Sequence, residues 1–547
     1  MSARLRQSSQ ADTDAVTRIG TQQHLIAALG DPQCYPHPAG ALEVVETHIS
    51  WVILAGDFAY KFKKALALGF LDFSTLAKRR FSCLEEVRLN RRTAPQIYID
   101  VVAIGGTSAA PRLGGAGPAL DYAVRMHRFS RDDGVDFLLA RGAITRADIE
   151  QLAHMIADFH ADAGRDRDGI YGTPAAVLEP ALDNFGHIPA VGLGRGARAR
   201  LVALERWTRA EHSRIATRLE ERRRTGFVRE CHGDLHMANL LRHDGRIVAF
   251  DCIEFNPQLR WIDVASDLAF ALMDLRHRGR ADFARVALGA WLEQGGDWDA
   301  AALLPFYLVY RAMVRVKVGA IRAAQGGARD ALRAATLDDC RAHLALAESF
   351  ALPPAPCLFI THGVSGAGKS HVAAALVERR DWIRVRADVL RKRLAGMGRL
   401  EHSGAAPGEG IYSDAATAQV YADLAAIAAR LLAAGHSVIV DATFLKRHQR
   451  DLFRDLAQEL QVPFAILAVR ANRAELARRI TRRAAAGTDP SEATLAVLGG
   501  QLASREMLGE DELSHAVQLD TGTPFGAGDL AARLEARACV PRPITGR

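Results

Sequence analysis

The sequence predicts an α/β protein of two bodies in series. A β-rich lobe leads into a larger helical lobe, and an open, doubly wound parallel sheet follows. Three observations carry this expectation. The runs Ser50–Leu54 and Phe58–Lys63 flank a Gly56-Asp57 pair, which is a hairpin signal. From Ile144 onward, apolar residues recur every three or four positions, the period of a helix face. Beyond residue 356, short apolar runs at Cys357–Thr361, Trp382–Arg386, Ser437–Val440 and Phe464–Val469 alternate with helical stretches, as in βαβ units.

The elements divide the chain as follows. Residues 1–20 form a polar lead-in without the apolar segment of a secretory signal. Residues 21–348 hold the β-rich and helical lobes, in which the glycine-rich stretch Gly105–Gly117 reads as a hairpin connection. Residues 349–356 carry three prolines in their last four positions and form a linker. Residues 357–547 hold the parallel sheet.

A chain of 547 residues exceeds a single hydrophobic core. With 49 % hydrophobic and 24 % charged residues it is of ordinary globular composition, and no apolar run approaches the ~18 residues of a membrane span. The seven cysteines are scattered without a C-x-x-C pair, which suits free thiols in a reducing cytoplasm. The net charge of +7 comes from arginines spread along the whole chain among equally dispersed acids. No basic run is interleaved with aromatics, so the pattern argues against nucleic acid and for local phosphate-holding sites.

Gly363-Val364-Ser365-Gly366-Ala367-Gly368-Lys369-Ser370 fits G-x-x-x-x-G-K-[ST]. Backbone N–H groups around Gly363, Gly366 and Gly368 would wrap a polyphosphate, Lys369 would reach its outer phosphates and the Ser370 hydroxyl would hold Mg²⁺. A strand before it and a helix over His371–Arg379 place the helix N-terminus at the anion. Asp388, expected at the end of strand Trp382–Arg386, suits deprotonation of a hydroxyl, with Arg391 and Arg393 to hold an anion. Asp441, at the end of the next strand, is a candidate for holding Mg²⁺ through water. Arg479 lies about one turn from Arg482 and Arg483, giving a cationic stripe that could close over a transferring phosphoryl group.

A second constellation lies upstream. His232-Gly233-Asp234-Leu235-His236 is followed by Asn239 and by an apolar run ending in Phe250-Asp251. Asp234 would orient or deprotonate an attacking hydroxyl, while Asn239 and Asp251 would hold Mg²⁺ against nucleotide phosphates. His232 and His236 are spaced i, i+4 but in a loop, so no zinc pair is expected.

These residues resemble the catalytic core of the aminoglycoside-phosphotransferase and choline-kinase group, over roughly residues 20–340. The resemblance implies a protein-kinase-like bilobal fold with Asp234 as base and Asn239 and Asp251 as metal ligands. It also implies a strand lysine paired with a helix glutamate. Lys61 and Lys63 share one strand face and both fit; Lys61 is preferred, leaving Lys63 beside the nucleotide. Glu86 is the expected partner, with Glu85 the alternative. Asp263 and Asp267 match a downstream acidic pair, expected to pair structurally with a loop arginine such as Arg260. Residues 357–547 resemble P-loop kinases near the zeta-toxin, polynucleotide-kinase and gluconate-kinase-like enzymes. The carrying residues are the phosphate loop, Arg386–Lys392, Val440–Phe444 and Asp489–Ala493, with Ala387 where relatives usually have serine.

The expected activity is therefore ATP- and Mg²⁺-dependent phosphoryl transfer from two kinase-like modules to a hydroxyl of a small molecule such as a sugar, amino alcohol or nucleoside. Asp388, Arg479 and Arg483 join Asp234, Lys61 and Glu86 as the catalytic set. Two alternatives stand beside it. The C-terminal module could act on nucleic-acid ends or nucleotide sugars, or one module could be a nucleotide-gated regulator without catalysis.

Overall fold

A computed structural model describes residues 20–68, 71–188, 192–324, 330–352, 355–406, 408–487 and 489–538. All of the expected lead-in except Gly20, and Pro353 and Pro354 of the expected linker, lie outside these residues. The described residues pack as two compact units, one within 1–155, 159–179 and 216–271 and the other within 156–158, 180–215 and 272–547. The described residues of the 349–356 segment fall inside the second unit.

The first unit is built on strands β1 (Glu43–Glu46), β2 (Ser50–Ala55) and β3 (Phe58–Lys63), helix α1 (Leu76–Asn90), and strands β4 (Tyr98–Thr107), β5 (Ala110–Leu113) and β6 (Asp121–His127). All neighbours are antiparallel, in the order β1-β2-β3-β6-β4-β5. The β2–β3 hairpin closes on Gly56-Asp57, with Ala55 opposite Phe58. Gly56 has φ +57°, and a Cβ there would lie 2.4 Å from the Pro38 carbonyl oxygen, which is why glycine stands at this turn. The expected glycine-rich connection contains the β4–β5 hairpin, in which Gly105 and Gly106 are themselves paired.

Period-two alternation gives β3 two buried faces. Tyr60 and Phe62 pack with Trp51, Ile53, Leu25 and Leu29 on one side. Ala59 joins Cys83 and Val87 of α1 with Val124 and Met126 on the other. Lys61 and Lys63 share this α1 side. Strand β7 (Val228–Glu230) then leads into the loop carrying Asp234, and a small hairpin, β8 (Leu240–His243) and β9 (Arg246–Ala249), delivers Asp251.

The second unit contains the helices α2 (Ala281–Gly295), α3 (Leu304–Ala324) and α4 (Asp330–Phe350). The parallel-sheet part follows: β10 (Leu358–His362), α5 (Lys369–Val377), β11 (Trp382–Arg386), α6 (Ala387–Leu394), α7 (Asp414–Ala433), β12 (Ser437–Asp441), β13 (Phe464–Arg470), α8 (Arg473–Ala486), α9 (Leu495–Ser504) and β14 (Ala516–Asp520). Its five strands are all parallel in the order β11-β12-β10-β13-β14. The chain starts in the central strand β10, crosses to the edge strand β11, returns to β12 beside β10, and then passes to β13 and β14 on the other side. Buried Phe359, Ile439, Leu467 and Val517 form the layer beneath the helices.

The architecture is thus the expected one: an antiparallel sheet with a helical lobe, then a doubly wound parallel sheet. Element ends moved by a residue or two. The helix after the phosphate loop spans Lys369–Val377 rather than His371–Arg379, and Asp388 lies in the first turn of α6, not on the strand end. Among the described residues no helix is long and apolar enough to cross a membrane, and the six cysteines among them are free.

Two candidate phosphoryl-transfer sites

In the first unit, the Lys61 ammonium on β3 bonds both Glu86 of α1, at 2.8 Å, and Asp251 beyond β9. Glu86 is fully buried and also takes Lys63, whose ammonium is closed off between Glu86 and Glu254. Lys63 keeps 1 % of its side-chain surface against 12 % for Lys61. The placement of Lys63 beside a nucleotide is therefore corrected: its charge is consumed by two buried carboxylates. Glu85 pairs instead with Arg88. Burial works against the charge on Lys61, yet Asp251 and Glu86 hold its pKa well above the usual lysine value.

Asp251 has φ +63°, rare for a residue with a side chain. The Tyr98 hydroxyl accepts from its N–H at 3.1 Å and the Asn90 side chain accepts from the next N–H at 2.8 Å, which fixes this turn. Burial would raise the Asp251 pKa, but Lys61 outweighs it and holds the carboxyl below its ordinary range. The charge of Asp234 works in the opposite sense, against the Asp251 carboxylate.

Asn239 donates to the Asp234 carbonyl oxygen at 2.9 Å and to its carboxylate at 3.0 Å. His236 stands 3.4 Å from the same carboxylate. Beneath the loop, the fully buried Asp267 accepts from the N–H groups of His232 and Gly233 at 3.0 and 2.9 Å, and bonds His160. Burial opposes its charge, but His160 and these donors bring its pKa down to about 2. Asp263 takes a bidentate Arg222. The expected Arg260 partner is thus wrong for both: Arg260 pairs with Glu230. Sequence reasoning missed Glu254 and Tyr98. The signal for Glu254 was a second carboxylate three residues past Asp251, for a face that carried two lysines.

In the second unit, the phosphate loop joins β10 to α5. Gly363 has φ +149°, and a Cβ there would fall 2.3 Å from the Val469 carbonyl oxygen. Gly368, in the left-handed region, is the cap of α5, and Gly366 also has positive φ. The loop lines a cleft of about 1440 Å³. Lys369, Ser370, Arg386, Asp388, Arg391, Asp441, Arg479, Arg482 and Arg483 line it too.

Lys369 is buried and donates to the Val364 carbonyl oxygen at 3.0 Å; burial lowers its pKa. Arg479 reaches across to the Ala367 carbonyl oxygen and to Thr521, and pairs with Glu475. The Gln501 side chain, on α9, accepts from the Ser365 N–H at 2.7 Å. Asp441 is 5 % exposed, and its Oδ2 is buried with no hydrogen-bond partner among the described residues. A buried oxygen with nothing to accept, on a wall shared with Ser370, fits a divalent cation held through its water shell. Arg391 faces the cleft, but Arg393 does not: it donates to carbonyls at the end of α2. The expectation that both hold an anion is corrected accordingly.

Residues 85–304 match the model of the phosphotransferase enzyme family (APH), and residues 358–508 match that of an AAA domain. Solved structures similar to parts of the chain include an amicoumacin kinase (14 % identical, 61 % of this chain and 95 % of that one, TM-score 0.37). A gluconokinase from Sinorhizobium meliloti is another (23 % identical, 34 % of this chain and 90 % of that one, TM-score 0.23). An uncharacterized protein of Mycobacterium tuberculosis is 30 % identical over 484 residues, 86 % of this chain and 93 % of the relative, and one of Mycobacterium bovis matches equally. This chain, with a match to the phosphotransferase enzyme family followed by a match to an AAA domain, belongs to the same family as those mycobacterial proteins.

Proposed function

We propose that the protein is an ATP- and Mg²⁺-dependent phosphotransferase with two kinase modules, at residues 21–348 and 357–547, each transferring the γ-phosphoryl group to a hydroxyl of a small molecule. The observation that carries this reading is Lys61, held between Glu86 and Asp251 in the unit that also presents Asp234 and Asn239. Phosphoryl transfer asks the protein for positioning and charge neutralisation, and this set supplies both.

In the first module Asp234 accepts the proton of the attacking hydroxyl, oriented by Asn239. Lys61 takes the nucleotide phosphates, and Glu86 keeps it in place. Asn239 and Asp251 would hold Mg²⁺, which supplies neutralisation of the phosphate charge when bound. In the second module the loop N–H groups and Lys369 cradle the triphosphate, Asp388 takes the proton, and Arg479 and Arg483 face the phosphoryl group in flight. Ser370 and Asp441 would hold its Mg²⁺. Gluconokinase and amicoumacin kinase, among the similar structures, are kinases by name; a sugar, amino alcohol or nucleoside is the acceptor class proposed here.

The test is incubation of wild type, Asp234→Ala and Lys369→Ala with γ-labelled ATP and a bacterial metabolite extract. A labelled product lost in one variant alone assigns an acceptor to that module. Two variants that match wild type would defeat the two-kinase reading.

A further inference from the structure

Helix α2, from the helical part, ends against the phosphate-loop part of the same compact unit. Its terminal carbonyls, of Glu293, Gln294 and Gly295, accept from Arg393 of α6 at 2.7, 2.8 and 3.1 Å. Such contacts satisfy orphan carbonyls and the negative end of the helix dipole. The chain then turns through Gly296 at φ +72°, where a Cβ would lie 2.3 Å from the Arg393 guanidinium. Earlier on α2, Arg285 bonds Asp381 and the Glu378 carbonyl oxygen, just before β11. The docking therefore grips both ends of the β11–α6 segment, which carries Arg386 and Asp388.

At the centre of this contact is Glu293, which is 8 % exposed. One carboxylate oxygen lies 3.5 Å from Arg384 and the other 3.7 Å from Arg386. Arg384 in turn donates to the carbonyl oxygen of Ser370, in the phosphate loop, at 3.1 Å. Arg386 lines the cleft, and the carboxylates acting on it, after Glu293, are Asp441, Asp489 and Asp388. A buried guanidinium takes the counter-charge that is nearest. Without Glu293, Arg386 would turn to the cleft carboxylates, two of which are assigned to the hydroxyl proton and to Mg²⁺.

We propose that Glu293 is a positioning residue for the phosphate-loop site: it holds Arg386 away from Asp388 and Asp441, so the second module is complete only with α2 docked. The proposal rests on the reading of the cleft as a Mg·ATP site.

The experiment uses the full-length chain carrying Lys61→Ala, so that the first site is silent, and a fluorescent ATP analogue titrated with and without Mg²⁺. Glu293→Gln is expected to weaken Mg-nucleotide binding about tenfold, the low end of the cost of losing a group that orients a ligand-binding residue. Binding without Mg²⁺ should stay unchanged. Adding Arg386→Ala should restore the metal dependence, which a merely structural role of Glu293 would not allow. An unchanged Mg-nucleotide affinity in Glu293→Gln, or a loss that Arg386→Ala fails to restore, overturns the proposal. If Glu293→Gln does not fold, Glu293→Asp keeps the charge, shortens its reach and carries the same comparison. If Lys369→Ala leaves binding in the parent unchanged, the reading of the cleft fails, and the proposal with it.

Discussion

The two sites handle positive charge in opposite ways. In the first unit the lysines are already matched inside the protein: Lys61 to Glu86 and Asp251, Lys63 to Glu86 and Glu254. In the second, cations crowd an open cleft of about 1440 Å³ while a carboxylate oxygen of Asp441 has no partner among the described residues. The first site is pre-assembled by ion pairs, and on the proposed reading a nucleotide would exchange for one of them, the Lys61–Asp251 contact. The second site is pre-assembled by backbone, and a nucleotide fills a gap. On the proposed reading, one kinase chemistry is approached through side-chain electrostatics in one unit and through loop geometry in the other.

The contrast breaks first at the bases. Asp234→Asn should lower transfer from the first module by about 10²–10⁴-fold, the range for losing a general base, and leave the second untouched. Single-turnover labelling in a Lys369→Ala background reads this directly; unchanged transfer would remove Asp234 from the mechanism. Lys369→Ala should cost the second module about 10²–10³-fold, as for one lost phosphate-facing donor. Nucleotide titration against the Lys61→Ala background separates the two sites.

Glu86→Gln tests the electrostatic half. Two buried ammonium groups lose their shared partner, and breaking a buried pair costs about 3–5 kcal/mol. Urea unfolding should show that loss in the first unit, with the transition of the second unchanged. An effect below about 1 kcal/mol would mean that Glu254 and Asp251 hold both lysines unaided.

The smallest expected effect is a pH slope. The pKa of Asp267 is lowered to about 2 in the folded protein, below the ordinary 3.8. A depressed carboxylate contributes stability that is full above the unfolded pKa and is lost as pH falls through the folded one. Asp267 should therefore contribute about 2 kcal/mol that disappears between roughly pH 4 and 2. Asp267→Asn should be less stable at pH 6 and show a flatter decline below pH 4. Parallel declines in the two proteins would contradict this source of the acid sensitivity.

How much of this was legible depends on the distance along the chain. Gly56-Asp57 announced its hairpin, and the alternating apolar runs announced the parallel sheet, because both signals are local. Asp234, Asn239 and Asp251 were found together because they lie within a short stretch. Lys61 and Lys63 could not be separated, since period two puts both on one face. The residue that separates them, Glu254, is 191 positions from Lys63. Arg393 was grouped with Arg391, yet residues two apart on a helix point in different directions. One faces the cleft and the other caps α2.

By itself, the sequence determined the phosphate loop, its strand and its helix, because eight consecutive residues with glycine at set places define a backbone path locally. It also determined the order of the two folds, because hydrophobic period is read from neighbours. Only the tertiary structure decided which lysine is sealed, which acid holds the Asp234 loop, and that Glu293 of the helical part meets Arg386 beside the phosphate loop. Each of these is a match between buried charges brought together from distant segments. A buried charge takes the partner that the fold brings close to it, and spacing along the chain carries no record of that choice.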